Sequence, residues 1–102
     1  MIELYRHTKA MPVDERFGLT SQMRRAAVSA ASNIVEGCAR ESEGDYLRFL
    51  GIAFASAKEL EYQISVAVRL GYFSGTAADV LSAKSNESSR VLRGLVRSLR
   101  DK

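Results

Sequence analysis

The stretch Leu19-Thr20-Ser21-Gln22-Met23-Arg24-Arg25-Ala26-Ala27-Val28-Ser29-Ala30-Ala31-Ser32-Asn33-Ile34-Val35-Glu36-Gly37-Cys38 decides the fold class. Leu19, Met23, Ala26, Ala27, Ala30, Ile34 and Cys38 recur at the three- and four-residue steps of an α-helix. Val28, Ala31 and Val35 form a second stripe on a neighbouring flank. Arg25, Ser29, Ser32 and Glu36 leave only a narrow polar strip between the two. A helix apolar over so much of its circumference is buried on more than one side. Cys38, which ends the first stripe, reads as a small buried hydrophobe. Thr20 or Ser21 can cap the first free amides, so the pattern predicts a helix over 20–39 that ends around Gly37 and Arg40-Glu41.

Downstream, Tyr46, Phe49, Leu50, Ala53, Ala57, Leu60, Ile64 and Ala67 give a third helix over 43–70, widened by Leu47, Phe54 and Val68. Glu61 is the odd member of that widened row. Ser42 can cap this helix, Glu43 and Asp45 suit the positive end of its dipole, and Gly71 suits a left-handed C-terminal cap. Ser74 or Thr76 opens a last helix over 76–101, with Asp79 in its first turn. Its inner side reads Val80, Leu81, Ser85, Ser88, Val91, Leu92, Leu95, Val96 and Leu99, and its outer side carries Arg90, Arg93, Arg97 and Arg100 on one face.

Upstream, Met1, Leu4 and Tyr5 share one face of a short first helix over 1–10, which Pro12 ends. Residues 12–19 read as a connection, with Phe17 and Leu19 tucked inward. The reading is a single all-α domain over 1–102: an antiparallel up-down four-helix bundle with a shortened first helix. Ten residues of helix, about 15 Å, cannot cover partners of about 25 residues. The apolar surface left over predicts self-association.

Composition narrows the function. At 102 residues with 46% hydrophobic content and one proline, the chain suits one packed helical domain rather than a disordered or turn-rich chain. No apolar run reaches the length of a membrane helix, and the N-terminus has no signal-peptide core, so a soluble cytoplasmic protein is expected. One cysteine and one histidine leave neither a disulfide nor a Cys-based metal site, and His7 reads as a surface residue. Neither H-E-x-x-H nor a phosphate-binding Gly-rich loop occurs. No enzyme, cofactor or metal is expected. The net charge of +3 is uneven: residues 84–102 hold six Lys or Arg against two acids, whereas residues 1–83 hold nine against ten.

The run Asp14-Glu15-Arg16-Phe17-Gly18-Leu19-Thr20-Ser21-Gln22-Met23-Arg24-Arg25-Ala26-Ala27-Val28-Ser29, then Ser32-Asn33-Ile34-Val35-Glu36-Gly37, then Tyr46-Leu47-Arg48-Phe49-Leu50 through Glu59-Leu60-Glu61, resembles the bacterial four-helix bundle proteins encoded in 23S ribosomal RNA intervening sequences. That family is related to the accessory variability protein of diversity-generating retroelements. The resemblance runs from the first residues to Leu70-Gly71-Tyr72 and weakly beyond. It implies a left-handed antiparallel bundle that assembles as a homo-oligomer, a pentamer in known forms, with no established catalysis. The retroelement relative is a basic ring that binds nucleic acid and its reverse transcriptase. Two departures stand out. Family members carry further turns of first helix before the segment matching Ile2-Glu3-Leu4-Tyr5, and they commonly have Ile-Pro where this chain has Ala30-Ala31. The second helix is therefore expected to be straighter here.

Each candidate site has a plain alternative. Arg90, Arg93, Arg97 and Arg100, with Arg40 and Arg48 as further contacts, suit RNA or DNA phosphates, because the planar guanidinium fork matches phosphate oxygens. No acid alternates with the four until Asp101, and assembly would multiply the patch. The alternative is a solvated face on an oligomeric scaffold that recruits a protein partner without touching nucleic acid. Arg24 and Arg25 sit early in the second helix, against the dipole, and call for a partner. Glu61 is the best candidate for such an ion pair, within the chain or between subunits, with Asp14-Glu15 or phosphate as the others. Asn33 is expected to bond a neighbouring helix, and Glu36-Gly37 to shape the helix end. The aromatic residues at helical spacing read as core, with Tyr62 on a polar flank.

Overall fold

The computed structural model describes residues 2–15 and 17–101. Four α-helices follow one another: α1 (Ile2–Thr8), α2 (Leu19–Cys38), α3 (Glu43–Arg69) and α4 (Gly75–Arg100), with a 3-10 turn at Val13–Glu15 between the first two. The antiparallel bundle measures 44 × 23 × 17 Å. Met1, placed on the first apolar face by its sequence, lies outside the described residues. Among the described residues, no helix is long and apolar enough to cross a membrane.

The ends of the helices show which local chemistry decides each boundary. Ser42 caps α3 by accepting from the Asp45 N–H at 3.1 Å. After α3, Gly71 has φ +81, the Tyr72 N–H donates to the Ala67 carbonyl at 2.9 Å, and the Gly71 N–H donates to that of Val68 at 3.0 Å. This pair of bonds is the glycine-terminated stop expected from sequence. α2 differs. It begins one residue before Thr20, with Gly18 at the cap position and no side-chain cap from Thr20 or Ser21. A carboxylate in the preceding turn serves instead, Glu15 Oε1 accepting from the Leu19 N–H at 3.4 Å. α4 starts at Gly75 without a side-chain cap from Ser74, and Asp79 falls beyond its first turn.

α3 is the spine, packing against both α2 and α4 along its length, while α1 touches α2 and α4. The core divides accordingly. One cluster joins all four helices through Leu4, Met23, Ala26, Ala27, Leu60, Ile64, Ala67 and Leu81, with Met11 and Phe73. The other, Leu50, Ala53, Ala57, Leu92 and Val96, backed by Ala30, Ile34, Leu47, Phe54 and Leu99, draws on α2, α3 and α4 only. Small residues let α2 and α3 approach closely. A Cβ at Gly37 would stand 2.9 Å from Tyr46 Cδ1 and 3.1 Å from Phe49 Cβ.

Several residues read from sequence as inward turn outward. Phe17 is 88% exposed rather than tucked in, because the turn before α2 points its ring away from the core. The second stripe of α2 lies uncovered in the single chain, with Val28 and Val35 at 51% and 69% exposure, and Cys38 is exposed as well. On α4 the inner side is narrower than the apolar pattern suggests. Ser85 and Ser89 are buried, while Ser88, Val91 and Leu95 are exposed. At the start of α1, α2 and α4 leave an open groove of about 700 Å³, lined by Ile2, Ile34, Val91 and Leu95 with Leu50 at its base.

Candidate nucleic-acid interface

α4 is amphipathic, and burial of Leu81, Ser85, Ser89, Leu92 and Val96 fixes its rotation. That rotation leaves Arg90, Arg93, Arg97 and Arg100 exposed. The row begins beside α3. Asn86, one turn before Arg90, donates from Nδ2 to Glu61 Oε2 at 2.8 Å, and its Oδ1 accepts from Arg90 Nη1 at 3.3 Å. Lys58 Nζ closes on Glu61 Oε1 at 2.7 Å. The Lys58 ammonium holds the Glu61 carboxyl below its ordinary range, against the opposing effect of burial and with further help from Asn86. A hydrogen-bonded chain Lys58–Glu61–Asn86–Arg90 thus ties α4 to α3 and engages the α3 acid at the start of the row. Among the described residues, Arg93, Arg97 and Arg100 form no ion pair.

Arg40 and Arg48 are brought together, but on each other's terms. Their guanidinium carbons lie 4.8 and 4.6 Å from the Phe49 ring centroid. Arg40 also pairs with Glu36 at 3.1 Å, and Arg48 with Asp45 at 3.8 Å. They share the end of the bundle where Leu99 of α4 packs beside Tyr46 and Leu47. Each is already balanced by a carboxylate, so they add less free positive charge than the α4 row.

The expected pairing of Arg24 or Arg25 with Glu61 is not made within the chain, since Glu61 is engaged by Lys58 and Asn86. Arg24 Nε donates to Thr8 Oγ1 at 3.0 Å, and its guanidinium stacks on Tyr5 with 5.0 Å to the centroid. The cation early in α2 therefore pins α1, a role that its sequence position did not reveal. Arg25 is exposed and lines an open depression with Tyr5, Phe17, Ser21 and Val28. Asn33 likewise bonds within its own helix, to the Ser29 carbonyl at 2.8 Å, and the hydroxyl bridge between α2 and α3 is Ser29–Ser56 at 2.8 Å.

Comparison with known proteins follows the same lines. Residues 1–94 match the family model described as 23S rRNA-intervening sequence protein. Arg90 and Arg93 fall inside that match, and Arg97 and Arg100 lie beyond it. A crystal structure of a protein of unknown function from the S23 ribosomal protein family of Bacteroides thetaiotaomicron is similar, with a TM-score of 0.78 and 26% identity over 93% of this chain and 86% of that one. No curated protein matches. With the family model spanning nearly the whole bundle, this chain belongs to the 23S rRNA-intervening sequence proteins.

Proposed function

We propose that the protein is a non-catalytic, cytoplasmic, homo-oligomeric helical bundle that binds RNA or DNA phosphates through the outer face of α4. The observation that carries this reading is the row Arg90, Arg93, Arg97 and Arg100, exposed together and, for the last three, without an ion pair among the described residues. Guanidinium groups fixed along one helix face offer repeated bidentate donors to phosphate oxygens. Binding of this kind is electrostatic, so it is largely independent of sequence and falls steeply with salt, by about 0.9 log units per log unit of salt for each phosphate neutralised on a duplex. Repetition of the row on each subunit of an assembly would add avidity without new contacts.

A salt titration of RNA and DNA binding by fluorescence anisotropy tests the proposal. The native chain is expected to bind at low salt, and Arg90→Glu, Arg93→Glu and Arg97→Glu together are expected to abolish binding while helix content is retained. Binding that survives this triple reversal overturns the reading. A second reading, an oligomeric scaffold for a protein partner, draws on the exposed apolar side chains Phe17, Val28 and Val35. It would stand alone if nucleic-acid binding is unmeasurable at low salt.

A further inference from the structure

Gly94 lies inside the arginine row, one residue after Arg93 and three before Arg97, in the C-terminal third of α4. Glycine in an exposed helix interior is less favourable than alanine. Nothing in the fold asks for it here. A Cβ at Gly94 meets nothing within 4 Å, and Gly94 is not among the glycines with positive φ. Gly51 of α3 is similarly open, and it follows Leu50 and precedes Phe54, which pack in the cluster with Leu92 and Val96 of α4. Gly37, by contrast, is required by the close approach of Tyr46 and Phe49. The glycine among the arginines is therefore unexplained by packing or backbone geometry and is suited to close approach by something outside the chain.

Two further facts bear on what approaches. α4 contains no aromatic residue from Gly75 to Arg100. Its four arginines span about 15 Å along the helix axis, at axial steps of about 4.5 to 6 Å. Proteins that hold single strands rely on stacking bases against rings, which this face does not offer. Cations repeated at regular steps along one helix instead suit anions repeated at regular steps along a duplex backbone. Resting on the nucleic-acid reading above, we infer that the ligand is a double helix, of RNA or DNA, with the phosphates of one strand along Arg90, Arg93, Arg97 and Arg100. Its sugar–phosphate chain makes van der Waals contact with the α4 backbone at Gly94.

Gly94→Leu in the full chain tests this. The added side chain projects into open space and replaces glycine with a strong helix former, so thermal stability is expected to hold or rise. Duplex RNA, duplex DNA, oligo-U and oligo-dT of equal length serve as probes, with anisotropy read at several salt concentrations. The native chain is expected to bind duplexes more tightly than single strands, and Gly94→Leu to weaken duplex binding by roughly fivefold or more, about 1 kcal/mol. Single strands that bind as tightly as duplexes, or duplex affinity unchanged by Gly94→Leu, overturn the inference while leaving the broader reading intact. Absence of binding to all four probes overturns both. The two duplex arms separate an RNA ligand from a DNA one.

Discussion

Two glycines carry opposite expectations under the same substitution. At Gly37 a methyl group would press on Tyr46 Cδ1 and Phe49 Cβ, and the latter is tied to the backbone of α3 and cannot swing away. Gly37→Ala is expected to destabilise the protein by about 1–3 kcal/mol, the usual cost of overpacking, despite the gain in helix propensity. Gly94→Ala should stabilise it by up to about 1 kcal/mol. Paired denaturant melts of the two variants check both signs. Glu61 supplies a pH test. Its folded-state pKa is lowered, so its contribution is present at neutral pH and is lost as pH falls through the carboxylate range. Glu61→Gln is expected to flatten that acid limb of stability, measured by melts from pH 7 down to pH 3. The heptad row of α3 shows from sequence that Glu61 is the odd, charged member of a mostly apolar row. It does not say which neighbour reaches it, because that depends on the rotation and level of α4, which put Asn86 there.

At the scale of elements, hydrophobic periodicity was enough to place α2, α3 and α4 within a residue of their ends. Caps were legible only where the capping group is local. Ser42 sits at the start of α3 and bonds Asp45, so Ser42→Ala is expected to cost about 1 kcal/mol in unfolding free energy. The cap of α2 comes from Glu15, outside the helix, whose other oxygen accepts from the Tyr72 hydroxyl at 2.8 Å. No spacing rule for one helix start anticipates a carboxylate held in place by a tyrosine 57 residues away. The bond to Glu15 raises the Tyr72 pKa, so Glu15→Gln should lower the midpoint of its phenolate absorbance titration. Of the candidate site, the α4 row could be read directly from 3-4-3 spacing. That Arg40 and Arg48 converge on Phe49 could not, because the contact joins the end of one helix to the start of the next.

For the whole molecule, the notable property is an apolar face with no cover in the single chain. Val91 and Leu95 on α4 lie exposed along the groove, and Val28 and Val35 lie exposed on α2 outside it. Monomeric proteins rarely leave such patches open. Under the proposed assembly, light scattering should return a mass that is a multiple of 11.2 kDa. Val28→Glu combined with Val91→Glu should shift that mass towards the monomer with helix content preserved.

The division of the core has a consequence for how the bundle opens. α1 offers only seven residues and is held by Leu4, Thr8 and the Arg24 contact, whereas α3 is gripped from both sides along its 27 residues. Local opening draws on the least contacted parts of a fold. In native-state hydrogen exchange, α1 amides should exchange by detaching on their own, long before those of α3, whose release requires the loss of α2 and α4 together. The short helix is then a latch whose opening would lengthen the groove between α2 and α4 while the remaining three helices stay folded.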